Sequence, residues 1–340
     1  MPTPIVIVNR RVRWIFHRLT SLHVESRKPM PVALEFDAIT KEYRSWPRGK
    51  RVRALQGFSL SVQPGEIFGF LGPNGAGKST AIHLAVGFMQ PSSGKGQMLG
   101  KPFGDAATRR RVGFLAENVA LYHRRAEAAI RFYGGLNGMH GAALATAARA
   151  ALVSVDLQSE SRRNLAQFSR GMVQRVGLAQ ALVSDPELLI LDEPTSALDP
   201  AARVAVRELL LRSRSQGKTI FLSSHLLSEV ELVCDRVAIL SRGQVVRTGT
   251  LSSMLEATDQ VEIVAQGDAL RQFDHAIVEG PRIRFTVPKS AQRNSIERVW
   301  AAGGEVVSVN PVRRSLEELF LELTSPEPNG TARKQTGELS

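Results

Sequence analysis

The sequence is poor in the features that place a chain in a class at a glance. Its 340 residues include one cysteine, Cys234, which excludes an internal disulfide and suits a reducing compartment. In "SEVELVCDRV" that cysteine reads as a small hydrophobe on a helix. There is no apolar run of about 18 residues, so no transmembrane helix is encoded. Residues 1–29 lack both an apolar stretch of signal-peptide length and a small-residue cleavage site. No internal repeat is visible.

What is present is a chain that is 43% apolar, enough for a sizeable core in one large domain or two modest ones. The net charge is +12, and it is unevenly spread. Residues 1–53 hold twelve Lys or Arg against Glu25, Glu35, Asp37 and Glu42, which gives two thirds of the total. Nucleic acid, anionic lipid and an acidic partner all remain open on charge alone.

Residues 1–29 read as a basic, disordered extension, with Met30 just ahead of the first strand; Val12, Ile15, Phe16 and Leu19 also permit an amphipathic membrane-surface helix. From Val32, "VALEFDAITKEY" and "LQGFSLSV" alternate apolar and polar, as half-buried antiparallel strands do. "EIFGFLG", "RVGFLA", "ELLILDE", "TIFLSSH" and "RVAILS" are short apolar runs separated by helix-length segments, the pattern of a buried parallel sheet with crossovers. An Ala- and Arg-rich stretch over about 118–185 reads as an inserted helical subdomain, and "RGQVV" supplies a hairpin turn. The larger, first unit thus covers 30–254. A small α+β unit over 255–325 follows: "VEIVAQ", "RIRFTV" and "EVVSV" as strands, "ALRQFD", "SIERVWAAGG" and "SLEELFLEL" as helices. Residues 326–340 form a polar tail expected to be disordered.

"GPNGAGKST", Gly72 to Thr80, fits G-x-x-x-x-G-K-[ST] between a strand and a helix. Glycines let the backbone wrap closely, so that its N–H groups can face phosphate oxygens at a helix N-terminus. Lys78 is placed to reach the β- and γ-phosphates and the Ser79 hydroxyl to sit on Mg²⁺. "LLILDEP" ends a buried strand in Asp192 and Glu193, where a parallel sheet presents groups to its ligand. Asp192 suits the hydration shell of Mg²⁺; Glu193, pointing differently, suits a general base or water-positioner. His225 in "TIFLSSHLL" ends the neighbouring strand and is placed to reach a γ-phosphate.

"GPNGAGKST", "FSRGM", "LLILDEPTSALDP" and "SSH", in that order over about 32–250, resemble the nucleotide-binding subunit of an ATP-binding cassette (ABC) transporter. The segments beyond 250 resemble the C-terminal extension of the exporter type, whose permease is a separate chain. The resemblance implies an α/β P-loop NTPase fold: a mostly parallel central sheet, N-terminal antiparallel strands, the helical insert and the small C-terminal domain. It implies ATP and Mg²⁺ as cofactors. It makes Gly72, Pro73, Asn74, Gly75, Ala76, Gly77, Lys78, Ser79 and Thr80 the phosphate loop and Tyr43 the adenine-stacking aromatic, with Trp46 a competitor. Ser79, Glu117 and Asp192 become Mg²⁺ ligands, and Glu193, His225 and Lys78 catalytic groups. Ser169, Gly171 and Met172 become a signature for the γ-phosphate of a second copy, at a helix starting near Met172. Ser196 and Asp199 belong to the loop crossing that dimer interface.

Two positions depart from the family pattern. Glu117 stands where a glutamine is usual; a carboxylate still binds Mg²⁺ but cannot donate as an amide does. Arg170 replaces the first signature glycine. The implied partners are a membrane permease and a second ATPase subunit, homodimeric or heterodimeric, with no specific nucleic acid. The implied location is peripheral, on the cytoplasmic face of the inner (plasma) membrane. The rival is a soluble cassette ATPase acting on nucleic acid or ribosomes. Against it, the chain has no long coiled coil between its motifs and only one phosphate loop. The basic turn "RSWPRGKRVR" reads as a solvated loop, or as attraction to anionic lipid through Arg48, Lys50 and Arg51.

Overall fold

The computed structural model describes residues 32–44, 49, 51–119, 125–255, 257–267 and 276–324. The expectations for the 1–29 extension, Trp46, Arg48, Lys50, the helix "ALRQFD" and the tail after 325 lie outside the described residues.

The short apolar runs form a six-stranded central sheet in the order β10-β9-β3-β8-β7-β6. Its strands are β3 (Ile67–Leu71), β6 (Val112–Leu115), β7 (Leu188–Asp192), β8 (Thr219–Ser224), β9 (Arg236–Ser241) and β10 (Gln244–Thr250). All neighbours are parallel except β10, which folds back on β9. The turn between them puts Arg242 at φ 48° and Gly243 at φ 78°, the paired left-handed conformation that a two-residue hairpin needs.

The alternation hidden in the continuous apolar runs sorts them into two layers. Ile67, Leu71, Leu189, Leu191, Ile220, Leu222, Val237 and Ile239 face one core. Phe68, Phe70, Leu188, Ile190, Phe221, Ala238 and Leu240 face the other. The second layer is covered by an antiparallel sheet, β2-β1-β4-β5 (Arg51–Val62, Leu34–Arg44, Ser93–Met98, Lys101–Pro102), and by helix α1 (Lys78–Ala85). Its centre is aromatic: Phe36 meets Phe58 edge-on at 4.9 Å between ring centres, and Phe70 meets Phe221 at 5.3 Å.

The first layer is covered by the helical insert and by α6 (Pro200–Ser215) and α7 (Leu227–Val233). After α2 (Ala106–Arg109), the insert comprises α3 (Ala126–Leu136), α4 (Gly141–Ser154) and α5 (Arg170–Leu182). Gly134 lies inside α3 because a Cβ there would come within 2.5 Å of Leu144 on α4.

Cys234 is not on a helix, contrary to its sequence reading. It follows α7 in extended conformation, because Asp235 already hydrogen-bonds both the N–H and the C=O of Ile67 and commits the chain to β9. The cysteine is still a buried hydrophobe, and burial pushes its thiol well above the usual range, with the nearby Asp235 adding to the effect.

Beyond α8 (Leu251–Met254) the chain builds a second antiparallel sheet, β12-β13-β11-β14. Its strands are Ile277–Glu279, Arg282–Pro288, Ala257–Gln266 and Glu305–Arg313. The sheet has its own core, Ile263, Ala265, Ile283, Phe285 and Val299, the last from α9 (Gln292–Ala301). β12 escapes sequence reading because it is three residues long; it pairs with β13 across a tight turn at Gly280. The final helix, α10 (Leu316–Thr324), does not join this core: Leu316 is wholly buried in the first layer of the large domain.

Phe221, fully buried between Phe68 and Phe70, is the natural probe of this packing. Phe221→Ala should cost about 3–5 kcal/mol in urea unfolding. Leu136→Ala, at a side chain that is 64% exposed, should stay within about 0.5 kcal/mol of wild type.

Candidate functional site

The site grows from the place where β3 ends and α1 begins. Gly75 (φ 79°) and Gly77 (φ 111°) take conformations that side-chain-bearing residues avoid. Space is open where a Cβ on Gly75 would point, whereas one on Gly77 would stand 2.5 Å from the carbonyl oxygen of Ala54. Gly77 is also the N-cap of α1. It brings no capping side chain, and the first turn carries no acid, so no side-chain cap occupies the leading amides of the helix. The loop is clamped from behind: the Gly243 N–H donates to the Ala76 carbonyl at 2.9 Å, and the Gln56 N–H to the Gly243 carbonyl at 3.0 Å.

Lys78 is 8% exposed, and its Nζ donates to the Gly72 carbonyl at 2.6 Å, folding the loop around its own ammonium. Burial holds its pKa below the ordinary lysine range, against the pull of Glu193, Asp192 and Glu117. A cavity of about 380 Å³ opens here. Pro73, Asn74, Gly75, Gly77, Lys78, Ser79 and Thr80 line it on one side, and Glu117, Asp192 and Glu193 on the other. Glu117 reaches it from just beyond the end of β6. Gly72 and Ala76, expected in the same loop, are not in that lining; they pack outward, Gly72 against Leu240 and Ala76 against the Gly243 turn. Open amides, a lysine and a hydroxyl opposite three carboxylates are the donor set of a polyphosphate with a hard divalent cation, so these residues fit both ATP and Mg²⁺.

At the end of β7, Asp192 and Glu193 are 3% and 7% exposed. The Ser223 hydroxyl donates to Asp192 Oδ1 at 2.5 Å and accepts the Glu193 N–H at 3.1 Å. Glu193 itself sits at φ 52°, a left-handed conformation that costs an ordinary residue about 1–3 kcal/mol. Its carbonyl is held by Gln174 Nε2 and by the Ser196 hydroxyl, both at 3.2 Å. Its carboxylate meets His225 Nδ1 at 2.7 Å. Glu193 and His225 are therefore brought together; Glu193 lines the cavity with Lys78, whereas His225 is not in its lining.

The remaining expected residues lie apart from the cavity lining. The hydroxyl of Tyr43 is 3.4 Å from Thr80 Oγ1 and donates to Met89 Sδ at 3.2 Å, while Lys41 stands 5.6 Å from its ring centre. Ser169, Gly171 and Met172 are at the start of α5. That helix begins at Arg170, not near Met172, because Ser169 takes the N-cap and its Oγ accepts the Met172 N–H at 3.2 Å. The exposed Ser169 hydroxyl donates to no described residue. A Cβ on Gly171 would stand 3.3 Å from the Ala197 carbonyl, so the first turn of α5 lies against the Ser196–Asp199 loop. Asp199 is exposed and N-caps α6, its Oδ1 accepting the Ala202 N–H at 2.8 Å.

Sequence reasoning missed Ala54, which lines the cavity, as well as Ser223 and Gln174. Ser223 was readable only as strand, although the pair of polar residues ending "TIFLSSH" was a signal that the strand serves its neighbour. Gln174 lies one helical turn beyond Gly171 and is 5% exposed, a buried amide whose partner no spacing rule names.

A parallel sheet with its phosphate loop after β3, its acids at the ends of β7 and β6, and a helical insert between β6 and β7 is the cassette form of the P-loop NTPase. Likeness to known proteins carries this to a family. The ABC transporter family matches residues 55–196. An uncharacterized ABC transporter ATP-binding protein of Synechocystis sp. is 37% identical over 311 residues, covering 89% of this chain and 88% of its own length. The linearmycin resistance ATP-binding protein LnrL of Bacillus subtilis is 31% identical, covering 86% of this chain and 98% of its own. The Nod factor export ATP-binding protein I of Paraburkholderia xenovorans is 34% identical, covering 87% and 98%. The ATP-binding cassette MJ0796, solved as a dimer bound to ADP and Pi, superposes with a TM-score of 0.60 at 25% identity, covering 64% of this chain and 98% of its own. The chain belongs to the ATP-binding subunits of ABC transporters.

The two glycines of the loop separate strain from collision. Gly77→Ala should weaken ATP binding by about tenfold or more, because it adds backbone strain and a clash. Gly75→Ala, which adds strain alone, should cost less. Equilibrium titration with a fluorescent ATP analogue ranks the two.

Proposed function

We propose that this chain hydrolyses ATP and drives export through a separate membrane permease, working as a pair of ATPase subunits. The observation that carries the catalytic part is Glu193. It is buried, lines the phosphate cavity, is held through its own N–H and C=O by three side chains, and has its carboxylate in contact with His225. A carboxylate fixed in that way orients an attacking water and takes its proton. Lys78 and the open amides of α1 stabilise charge on the phosphates, and His225 is placed to meet the γ-phosphate. Ser79, Asp192 and Glu117 would hold Mg²⁺, which neutralises phosphate charge when bound. Tyr43, beside Thr80, supplies the surface for the adenine.

Ser169 and Gly171 support the paired state. Within one chain they lie outside the cavity lining, yet they present a hydroxyl proton and helix N-terminal amides. A second copy's γ-phosphate is the partner that this chemistry fits, with Ser196 and Asp199 at the junction and Arg170 adding a positive charge. The helical insert carries exposed apolar side chains, Leu136 and Val153 among them, which suit docking to a permease together with the loop at Glu117. No helix among the described residues is long and apolar enough to cross a membrane, so attachment at the cytoplasmic face would be peripheral. The relatives named for Nod factor export and linearmycin resistance favour the outward direction.

Glu193→Gln keeps the shape and removes the base. It should bind ATP normally, accumulate as an ATP-bound dimer in size-exclusion chromatography and lose at least about 100-fold in turnover. Full turnover in this variant overturns the role of Glu193.

A further inference from the structure

We infer that the C-terminal helix α10 positions His225, acting through α7; the inference rests on the catalytic reading of His225 given above. His225 lies two residues ahead of α7, and its side chain is 54% exposed, with Glu193 as its hydrogen-bond partner. α7 has seven residues and no side-chain cap at its N-terminus. A helix that short does not hold itself together in water, so its position is set by what packs on it.

The packing comes from three sides. From beneath, Val230 and Cys234 press on β3, where a Cβ on Gly69 would come within 3.0 Å of both. From α6, Arg207 faces Glu229 at 3.7 Å. The third side is α10. Leu316 is fully buried in the same core as Leu227, Val230 and Val233, and Leu319, Phe320 and Leu323 pack against that core. At the head of α10, Ser315 and Glu318 cap each other reciprocally: the Glu318 N–H donates to Ser315 Oγ at 3.1 Å and the Ser315 N–H to Glu318 Oε2 at 3.2 Å. The next amide, that of Leu316, donates instead to Glu231 Oε1 on α7 at 2.5 Å. A carboxylate on a helix N-terminal amide is a charge-assisted contact, more directional than the apolar packing around it. The small C-terminal sheet thus reaches the catalytic pair by one route of covalent chain and one charged hydrogen bond: β14, α10, Glu231, α7, His225.

The test uses the full chain carrying Glu231→Ala, Glu231→Gln or Phe320→Ala, with each Glu231 variant also made in a His225→Ala background. Turnover, KM for ATP, Tm and the histidine side-chain NMR signals are recorded. Glu231→Ala should lower kcat by about three- to tenfold with KM essentially unchanged, and should move the His225 ring signal. Glu231→Gln keeps an acceptor oxygen and should recover most of both. In the His225→Ala background the Glu231 substitutions should have no further effect. Phe320→Ala, which leaves the charged contact intact, should lower Tm and move the His225 signal in the same direction. An unmoved His225 signal in Glu231→Ala overturns the inference, as does an equal loss of kcat with and without His225. Wild-type turnover in His225→Ala would instead overturn the catalytic role of His225 on which the inference stands.

Discussion

Glu193 is held in a backbone conformation that it would not choose alone, and much of the molecule is arranged around that restraint. At φ 52° its peptide leaves β7 in a direction that a relaxed strand end would not take. Ser223 of β8 fixes its N–H, and Gln174 of α5 and Ser196 of the following loop fix its C=O. Each anchor comes from a different element, so the angle of one residue records the relative placement of a neighbouring strand, helix α5 and the loop leading to α6. This is preorganisation in a literal form: the carboxylate's direction is decided by the fold before any nucleotide arrives.

The sheet makes that possible by being two-faced. Every second residue of the central strands belongs to a different core, one aromatic and roofed by antiparallel strands, one aliphatic and roofed by helices. The strand ends are then free to carry function, because burial on both faces has already fixed their register. The phosphate loop profits from the same economy. The β9–β10 hairpin turn hydrogen-bonds to Ala76 and to Gln56 and so braces the loop from the side opposite its ligand.

Much of this was legible in the sequence. The phosphate loop, the acidic pair, His225, the helical insert and the hairpin at Gly243 were all announced by motifs or punctuation that have a local cause. What stayed hidden depends on contacts between distant residues. Gln174 and Ser223 are ordinary polar residues until β7 is set beside them. The separation of α10 from the small sheet could not be read from "SLEELFLEL", because its apolar face fits either core. β12 is too short to show a period. Cys234 was assigned to a helix because "SEVELV" runs into it without a breaker. The stop is imposed from β3 by the pair of hydrogen bonds between Ile67 and Asp235, not by any residue of the helix itself.

The small sheet, β12-β13-β11-β14, closes on itself at its neck. Its first and last strands are paired so that Ala257 and Arg313 face each other across the ladder. The chain therefore enters and leaves this unit at nearly the same point, and the unit is a parenthesis in space. A unit closed at its neck can change length or content in its interior with little strain on its host, so long as the β14–α10 link keeps its place. Evolution can edit what lies within the bracket while the flanking α8 and α10 keep their places on the ATPase core. Insertions or deletions within the bracket leave its two ends where α8 and α10 already hold them.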